Sequence, residues 1–210
     1  EEWQQWDAIH RSAQAALVGR DDKLMQAAEM IETNLRLVGA TAIEDKLQVG
    51  VPDTIATLAM AGIRIWVLTG DKRETAENIG FACNVIKDEM TRIYLLEGTA
   101  KQLHATCKEE IKKHQVSSAP AQPREDLALI VDGKALLELT KSMEDSSAPP
   151  ETHELMMDFI TLARNCKAVI ACRVSPDQKR QVVSMVMLNT KPKPMTLSIG
   201  DGANDVPMIL

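Results

Sequence analysis

Three short runs in this 210-residue chain carry polar groups that packing alone does not explain. The first, Thr69-Gly70-Asp71-Lys72, follows an apolar run over residues 63–68 and precedes a helical pattern. A hydroxyl, a glycine permitting close backbone approach and a helix N-terminus make a phosphate-sized pocket. The same residues also read as an ordinary strand-to-helix turn with Asp71 as its cap. In the second run, Cys172-Arg173-Val174-Ser175-Pro176-Asp177-Gln178-Lys179, Ser175 is a good N-cap, Pro176 suits the first helical position and Gln178 completes a capping box. Lys179 then falls in the first turn, where a cation opposes the helix dipole at about 0.3–1 kcal/mol. An anion beside it reverses the sign; a plain surface lysine is the alternative. The third run is Gly200-Asp201-Gly202-Ala203-Asn204-Asp205. Asp201 and Asp205 stand one helical turn apart and can face one small volume. Two carboxylates without a basic neighbour repel, and a hard cation such as Mg²⁺ removes the repulsion while keeping its own waters. Capping explains Asp201 but not the pair. Hydroxyl, lysine and paired carboxylates on separate strand ends point to phosphoryl-transfer chemistry with Mg²⁺.

Nucleotide-binding fingerprints of other kinds are excluded. Asp205 stands where a dinucleotide motif needs its third glycine, and no Gly-x-x-x-x-Gly-Lys run exists.

The elements that must position these residues alternate in type. Residues 3–35 carry apolar positions at helical spacing, broken at Gly19-Arg20-Asp21-Asp22 into two helices. Strands are predicted over 37–43, 63–68, 127–131 (ending in Asp132-Gly133), 167–172 and 195–199. Helices are predicted over 51–61, 74–85 and 176–188, with a peripheral one over 99–114. Residues 114–125 and 144–151, rich in Ser and Pro, read as loops. Near-continuous apolar strands alternating with helices mean a parallel sheet covered on both faces. Ligands of such sheets bind beyond the carboxyl ends of the strands, where all three runs lie.

Composition agrees with a soluble α/β protein: 45% hydrophobic and 26% charged residues, which opposes wholesale disorder. Twenty-four basic against 30 acidic residues give a formal charge of −6, the wrong sign for a general nucleic-acid binder. Aromatic residues make up only 3%, so stacking platforms are scarce. No segment approaches the roughly 20 apolar residues of a membrane span, and the first residues have no signal-peptide character. The four cysteines form no Cys-x-x-Cys pair and read as reduced cytosolic thiols. His104 and Cys107, three apart, make a poor case for a metal site.

At the three strand ends a resemblance becomes specific. Thr69-Gly70-Asp71, Lys179 and Gly200-Asp201-Gly202-Ala203-Asn204-Asp205 resemble the later signature motifs of P-type ATPases, whose phosphorylation domain has a haloacid dehalogenase-like fold. Gly39-Ala40-Thr41-Ala42-Ile43-Glu44-Asp45-Lys46-Leu47-Gln48, Ile65-Trp66-Val67-Leu68-Thr69-Gly70-Asp71-Lys72, Cys172-Arg173-Val174-Ser175-Pro176 and Ala128-Leu129-Ile130-Val131-Asp132-Gly133 are similar to the phospholipid-flippase (type IV) branch. Arg73 departs from a frequent glutamine, and Pro207 from a small or polar residue.

The resemblance implies a Rossmann-like parallel sheet with helices on both faces, preceded by N-terminal helices. Residues 1–36 would end the nucleotide-binding region. Residues 37–210 would be a partial phosphorylation domain with a variable peripheral insertion at about 87–126. Thr69, Gly70 and Asp71 would contact the phosphoryl group or nucleotide phosphates, and Arg173 and Lys179 would neutralise their charge. Asp201 and Asp205 would hold Mg²⁺, with Asn204 and Asp205 orienting the metal and phosphoryl site. ATP would be the substrate. The phospholipid would be handled by membrane helices elsewhere in the parent, at the cytosolic face of which this segment would lie, and an accessory beta subunit is implied as partner.

One absence matters. The family's nucleophilic aspartate lies in an Asp-Lys-Thr-Gly-Thr run, and no such run occurs here; Asp45-Lys46-Leu47 and Asp71-Lys72-Arg73 are the nearest strings. The chain alone is therefore expected to be inactive, a segment or truncated product of a flippase. In the related fold the nucleophile strand lies between the strands ending at Thr69 and Gly200, so the sheet is expected to be incomplete there. Two other classes compete: a catalytically dead binding or regulatory module of the same fold, and a soluble phosphatase, which the missing nucleophile opposes.

Overall fold

The structure is a computed structural model that describes residues 2–16, 18–41, 46–117, 122–144 and 148–210. It comprises two units, Glu1–Asp45 and Lys46–Leu210.

In the first unit, α1 (Glu2–Gln14) and α2 (Arg20–Ile31) pack on each other, turning at Gly19 with its positive φ of 62°. Trp6 Nε1 donates to the carbonyl of Ala27 at 2.7 Å, and the Trp6 ring stacks on His10 at 4.8 Å. The break expected at Gly19-Arg20-Asp21-Asp22 is therefore present. The strand expected over 37–43 is not. Residues 37–41 have no regular structure and expose Leu37 and Val38, while 42–43 lie outside the described residues.

The second unit is built on a parallel sheet of β1 (Ile65–Leu68), β2 (Thr91–Leu95), β3 (Arg124–Asp132) and β4 (Cys166–Cys172), in the order β1-β4-β3-β2. Its helices are α3 (Val51–Met60), α4 (Arg73–Ala82), α5 (Ala100–Lys113), α6 (Gly133–Glu144), α7 (Pro150–Asn165), α8 (Pro176–Asn189) and α9 (Val206–Ile209). The two central strands show why their sequences are apolar throughout. Leu127, Leu129 and Val131 of β3 join Val169 and Ala171 of β4 in a core shared with α5, α6, α7 and α8. The alternate residues Ala128, Ile130, Ala168, Ile170 and Cys172 face a second core with Ala76 of α4 and Ile86. A strand buried on both faces has no solvent side on which to alternate. No described helix is long and apolar enough to cross a membrane.

Three expectations are corrected. Residues 87–126, taken to hold no strand, supply β2, whose exposed Arg92 and Tyr94 alternate with buried Ile93 and Leu95 in the manner of an edge strand. The helix over 99–114 is not peripheral. It is α5, started by a capping box between Thr99 and Gln102, and it sinks Leu103 and Cys107 into the larger core. Residues 195–199 form no strand, and Met195, Leu197 and Ile199 are exposed. A strand exists only through a neighbour's hydrogen bonds, and among the described residues β1 pairs with β4 alone.

Candidate functional site at the carboxyl end of the sheet

The hydrogen-bond ladder between β1 and β4 continues beyond the strands and ties their loops together. Thr69 N–H donates to the Ala171 carbonyl at 2.9 Å, Val174 N–H to the Thr69 carbonyl at 3.1 Å, and Arg173 N–H to the Asp71 carbonyl at 2.9 Å. Within the first loop, the Thr69 hydroxyl donates to Asp71 Oδ2 at 2.8 Å and accepts from Asp71 N–H at 3.1 Å. Asp71 is not the cap of α4, as the ordinary-turn reading required. The N-cap is Lys72, which makes no side-chain cap bond. The N-cap position of α4 thus supplies no side-chain acceptor to the first N–H groups of the helix. Gly70 passes close to the second loop, where an added Cβ would stand 3.8 Å from the Val174 carbonyl.

Arg173 sits in the left-handed region at φ 54°. Its carbonyl rests against Gly133, where any Cβ would overlap it. Ser175 and Gln178 form the capping box read from the sequence, and Gln178 Nε2 also donates to the Gly133 carbonyl at 2.7 Å. The start of α8 is therefore fixed to the end of β3 as well as to its own cap.

Lys179 is buried in the first turn of α8, and its Nζ donates to Asp205 Oδ1 at 2.6 Å. Asp205 Oδ2 accepts from Gly202 N–H at 3.2 Å. The anion expected beside Lys179 is thus a side chain of this chain. The Lys179 hydrogen bond holds the Asp205 carboxyl below its ordinary pKa, burial opposes that, and the Gly202 N–H assists it. Gly200 and Gly202 allow this geometry: side chains there would overlap Asp205 and Asn204 respectively.

That pairing overturns the premise from which a two-carboxylate metal site was argued. Asp205 has a basic neighbour, so no repulsion with Asp201 needs a cation to relieve it. Among the described residues no group of three or more His, Cys, Asp or Glu side chains could hold a metal. Asp201 is different, because it is exposed and has no side-chain partner among the described residues. One such carboxylate fits Mg²⁺, which takes one or two carboxylates together with phosphate and water; Asp205, committed to Lys179, does not fit as a direct ligand. Asn204 is exposed in the same short turn.

The structure therefore joins Thr69, Gly70, Asp71 and Arg173 in one loop cluster, and Lys179 with Asp205 in an ion pair. It leaves Asp201 and Asn204 accessible. Asp132 and Gly133 had been assigned no role. A buried acid followed by glycine at a strand's carboxyl end was the available signal. The groove of about 530 Å³ lined by Ile55, Met60, Arg64 and Lys167 lies at the amino ends of β1 and β4, opposite these residues.

No family model matches the chain. It is 46% identical over 209 residues to a phospholipid-transporting ATPase of Schizosaccharomyces pombe, a match covering 100% of this chain and 16% of that protein. It is 46% identical over 211 residues to the phospholipid-transporting ATPase DRS2 of Saccharomyces cerevisiae, covering 99% of this chain and 14% of that protein. It is 37% identical over 230 residues to phospholipid-transporting ATPase ID of Homo sapiens, covering 100% and 18%. The chain spans about a sixth of the length of these curated relatives. Identity at this level along the whole chain, joined to a parallel α/β sheet with helices on both faces, means that the chain belongs to the phospholipid-transporting ATPases, the type IV branch of the P-type ATPases.

Proposed function

We propose that this chain is part of the phosphorylation domain of an ATP-driven phospholipid flippase and supplies the phosphate-binding half of its aspartyl-phosphate site. The lacing of the β1 and β4 loops carries this reading, because it sets the Thr69 hydroxyl, the Gly70 backbone, the uncapped start of α4 and Arg173 at one end of the sheet. In that role the Thr69 hydroxyl turns from Asp71 to the phosphoryl oxygens together with the Gly70 backbone, Asp71 holds the loop in place through its N–H, and the Arg173 guanidinium offsets the phosphate charge. Lys179 uses one N–H on Asp205 and keeps two for phosphate. Asp205 thereby acts by orienting Lys179 and not by ligating metal. Asp201 is the residue that would hold Mg²⁺, with Asn204 beside it; the ion would supply charge neutralisation at the phosphate oxygens.

The attacking carboxylate lies outside this chain, in the Asp-Lys-Thr-Gly-Thr run that the family resemblance implies. ATP is the substrate, and phospholipid moves through membrane helices that are likewise outside it. Residues 1–36 then close the nucleotide-binding region, the whole segment lies at the cytosolic face of the membrane, and a beta subunit accompanies the complete transporter.

Labelling from radioactive ATP tests this reading. The complete ATPase should form an acid-stable, hydroxylamine-sensitive phosphoenzyme, and this chain alone should form none. Lys179→Ala in the complete protein should slow formation or breakdown of that species by about tenfold or more, as loss of one charged donor does. Labelling of the chain alone, or a complete enzyme indifferent to Lys179→Ala, overturns it.

A further inference from the structure

We propose that Asp132 is a positioning residue for Arg173, its buried carboxylate fixing the left-handed turn that presents Arg173 beside the Thr69-Gly70-Asp71 loop. The inference rests on the phosphate-binding reading above and extends it to the end of β3.

Asp132 is the last residue of β3 and pairs in register with Cys172. Its carboxylate is buried. Oδ1 accepts from Lys134 N–H at 2.9 Å and so shapes the entry to α6. Oδ2 faces the neighbouring strand end, 3.8 Å from Cys172 Sγ and 3.8 Å from Arg173 Nε. Among the described residues Arg173 is the cation within ion-pair distance of it. A buried carboxylate is costly without a partner, and an apolar side chain would close this core with no charge to compensate. Packing therefore does not account for an acid here, and the bond to Lys134 N–H at the start of α6 uses only Oδ1, leaving Oδ2 to be explained.

Arg173 supplies what packing does not. Its φ of 54° is one that a non-glycine residue holds only where its surroundings impose it. Three contacts from two strand ends do so. Its N–H is bound by Asp71 beyond β1, its carbonyl is seated against Gly133 beyond β3, and its Nε faces Asp132. Half of the Arg173 side chain remains exposed, leaving the rest of the guanidinium accessible to an anion. Asp132 thus restrains the guanidinium through Nε without consuming it.

Asp132→Asn tests this, since the amide keeps the shape and the acceptor for Lys134 N–H but removes the charge. Amide hydrogen exchange at Arg173 and Val174 should speed up by about tenfold or more, with Val182 in α8 unchanged. In the complete ATPase, turnover should fall by about tenfold when Arg173 is present, but by less than about twofold in an Arg173→Gln background, because residues acting through one another are not additive. Unchanged exchange at Arg173, or the same loss of turnover in both backgrounds, overturns the proposal. Loss of folding in both backgrounds alike overturns it too, since the acid would then serve the core. A fully active Arg173→Gln enzyme instead overturns the phosphate reading on which the inference rests.

Discussion

Lys179 Nζ and Asp205 Oδ1 lie 2.6 Å apart, both side chains almost wholly shielded from solvent, across 26 residues of sequence. The pair ties the first turn of α8 to the short turn Ala203–Asp205, and its two glycine neighbours leave room for it. Lysine at a helix N-terminus is unfavourable to the dipole, and the carboxylate offsets that with a charge-assisted hydrogen bond.

Removing one partner leaves the other buried and uncompensated. Lys179→Ala should destabilise the protein by about 3 kcal/mol, read from urea unfolding midpoints. A change within about 0.5 kcal/mol would show that the pair is solvated in solution.

The pair also sets a pH dependence. Asp205 has its folded pKa depressed, first by the Lys179 hydrogen bond, so its contribution is fully present above the unfolded carboxyl value near ~4. It is lost as pH falls through the lower, folded value. Asp205→Asn should therefore flatten the stability profile below about pH 4 relative to the parent chain. Profiles that stay parallel down to acid unfolding would contradict this.

Two glycines give a contrast in what a methyl group meets. At Gly133 it meets the backbone carbonyl of Arg173, whereas at Gly80, inside α4, it meets the side-chain ends of Ile170 and Ile86, which can shift more readily than backbone. Gly133→Ala should cost about 2 kcal/mol or more. Gly80→Ala should cost less, because alanine gains about 1 kcal/mol of helix propensity there. Thermal unfolding of both variants checks the order.

The cysteines should be inert in the folded protein. Burial pushes Cys107 and Cys166 up to about 12 and Cys172 to about 11, and raises Cys83 as well. Thiolate is the reactive form, so iodoacetamide at pH 8 should label none of the four quickly, and all of them after denaturation. Fast labelling of Cys107 in the native state would mean that α5 opens from the core.

Metal binding by this chain should depend on Asp201 and spare the ion pair. Mn²⁺ should broaden NMR signals around Asp201 and Asn204, and Asp201→Asn should abolish the effect. Broadening that survives Asp201→Asn but disappears in Asp205→Asn would return the metal to Asp205.

Much of this was decided locally. The apolar runs of β3 and β4 mark parallel strands buried on both faces, because both faces must leave water, and that of β1 marks the half-buried strand at the sheet's edge. Ser175, Pro176 and Gln178 set the start of α8 through bonds spanning three residues. The sequence therefore determined the layered α/β architecture, placed Thr69, Arg173 and Lys179 at strand and helix ends, and carried the family in its motifs. Tertiary structure decided what depends on a neighbour. Residues 91–95 are a strand because β3 lies beside them, and residues 195–199, which alternate apolar and polar side chains, are not, because no described strand lies beside them. Spacing alone put Asp205 with Asp201, one turn away. The fold put it with Lys179, 26 residues away, because a buried carboxylate is stable only beside a charge or donors, and only the folded chain brings that lysine within reach.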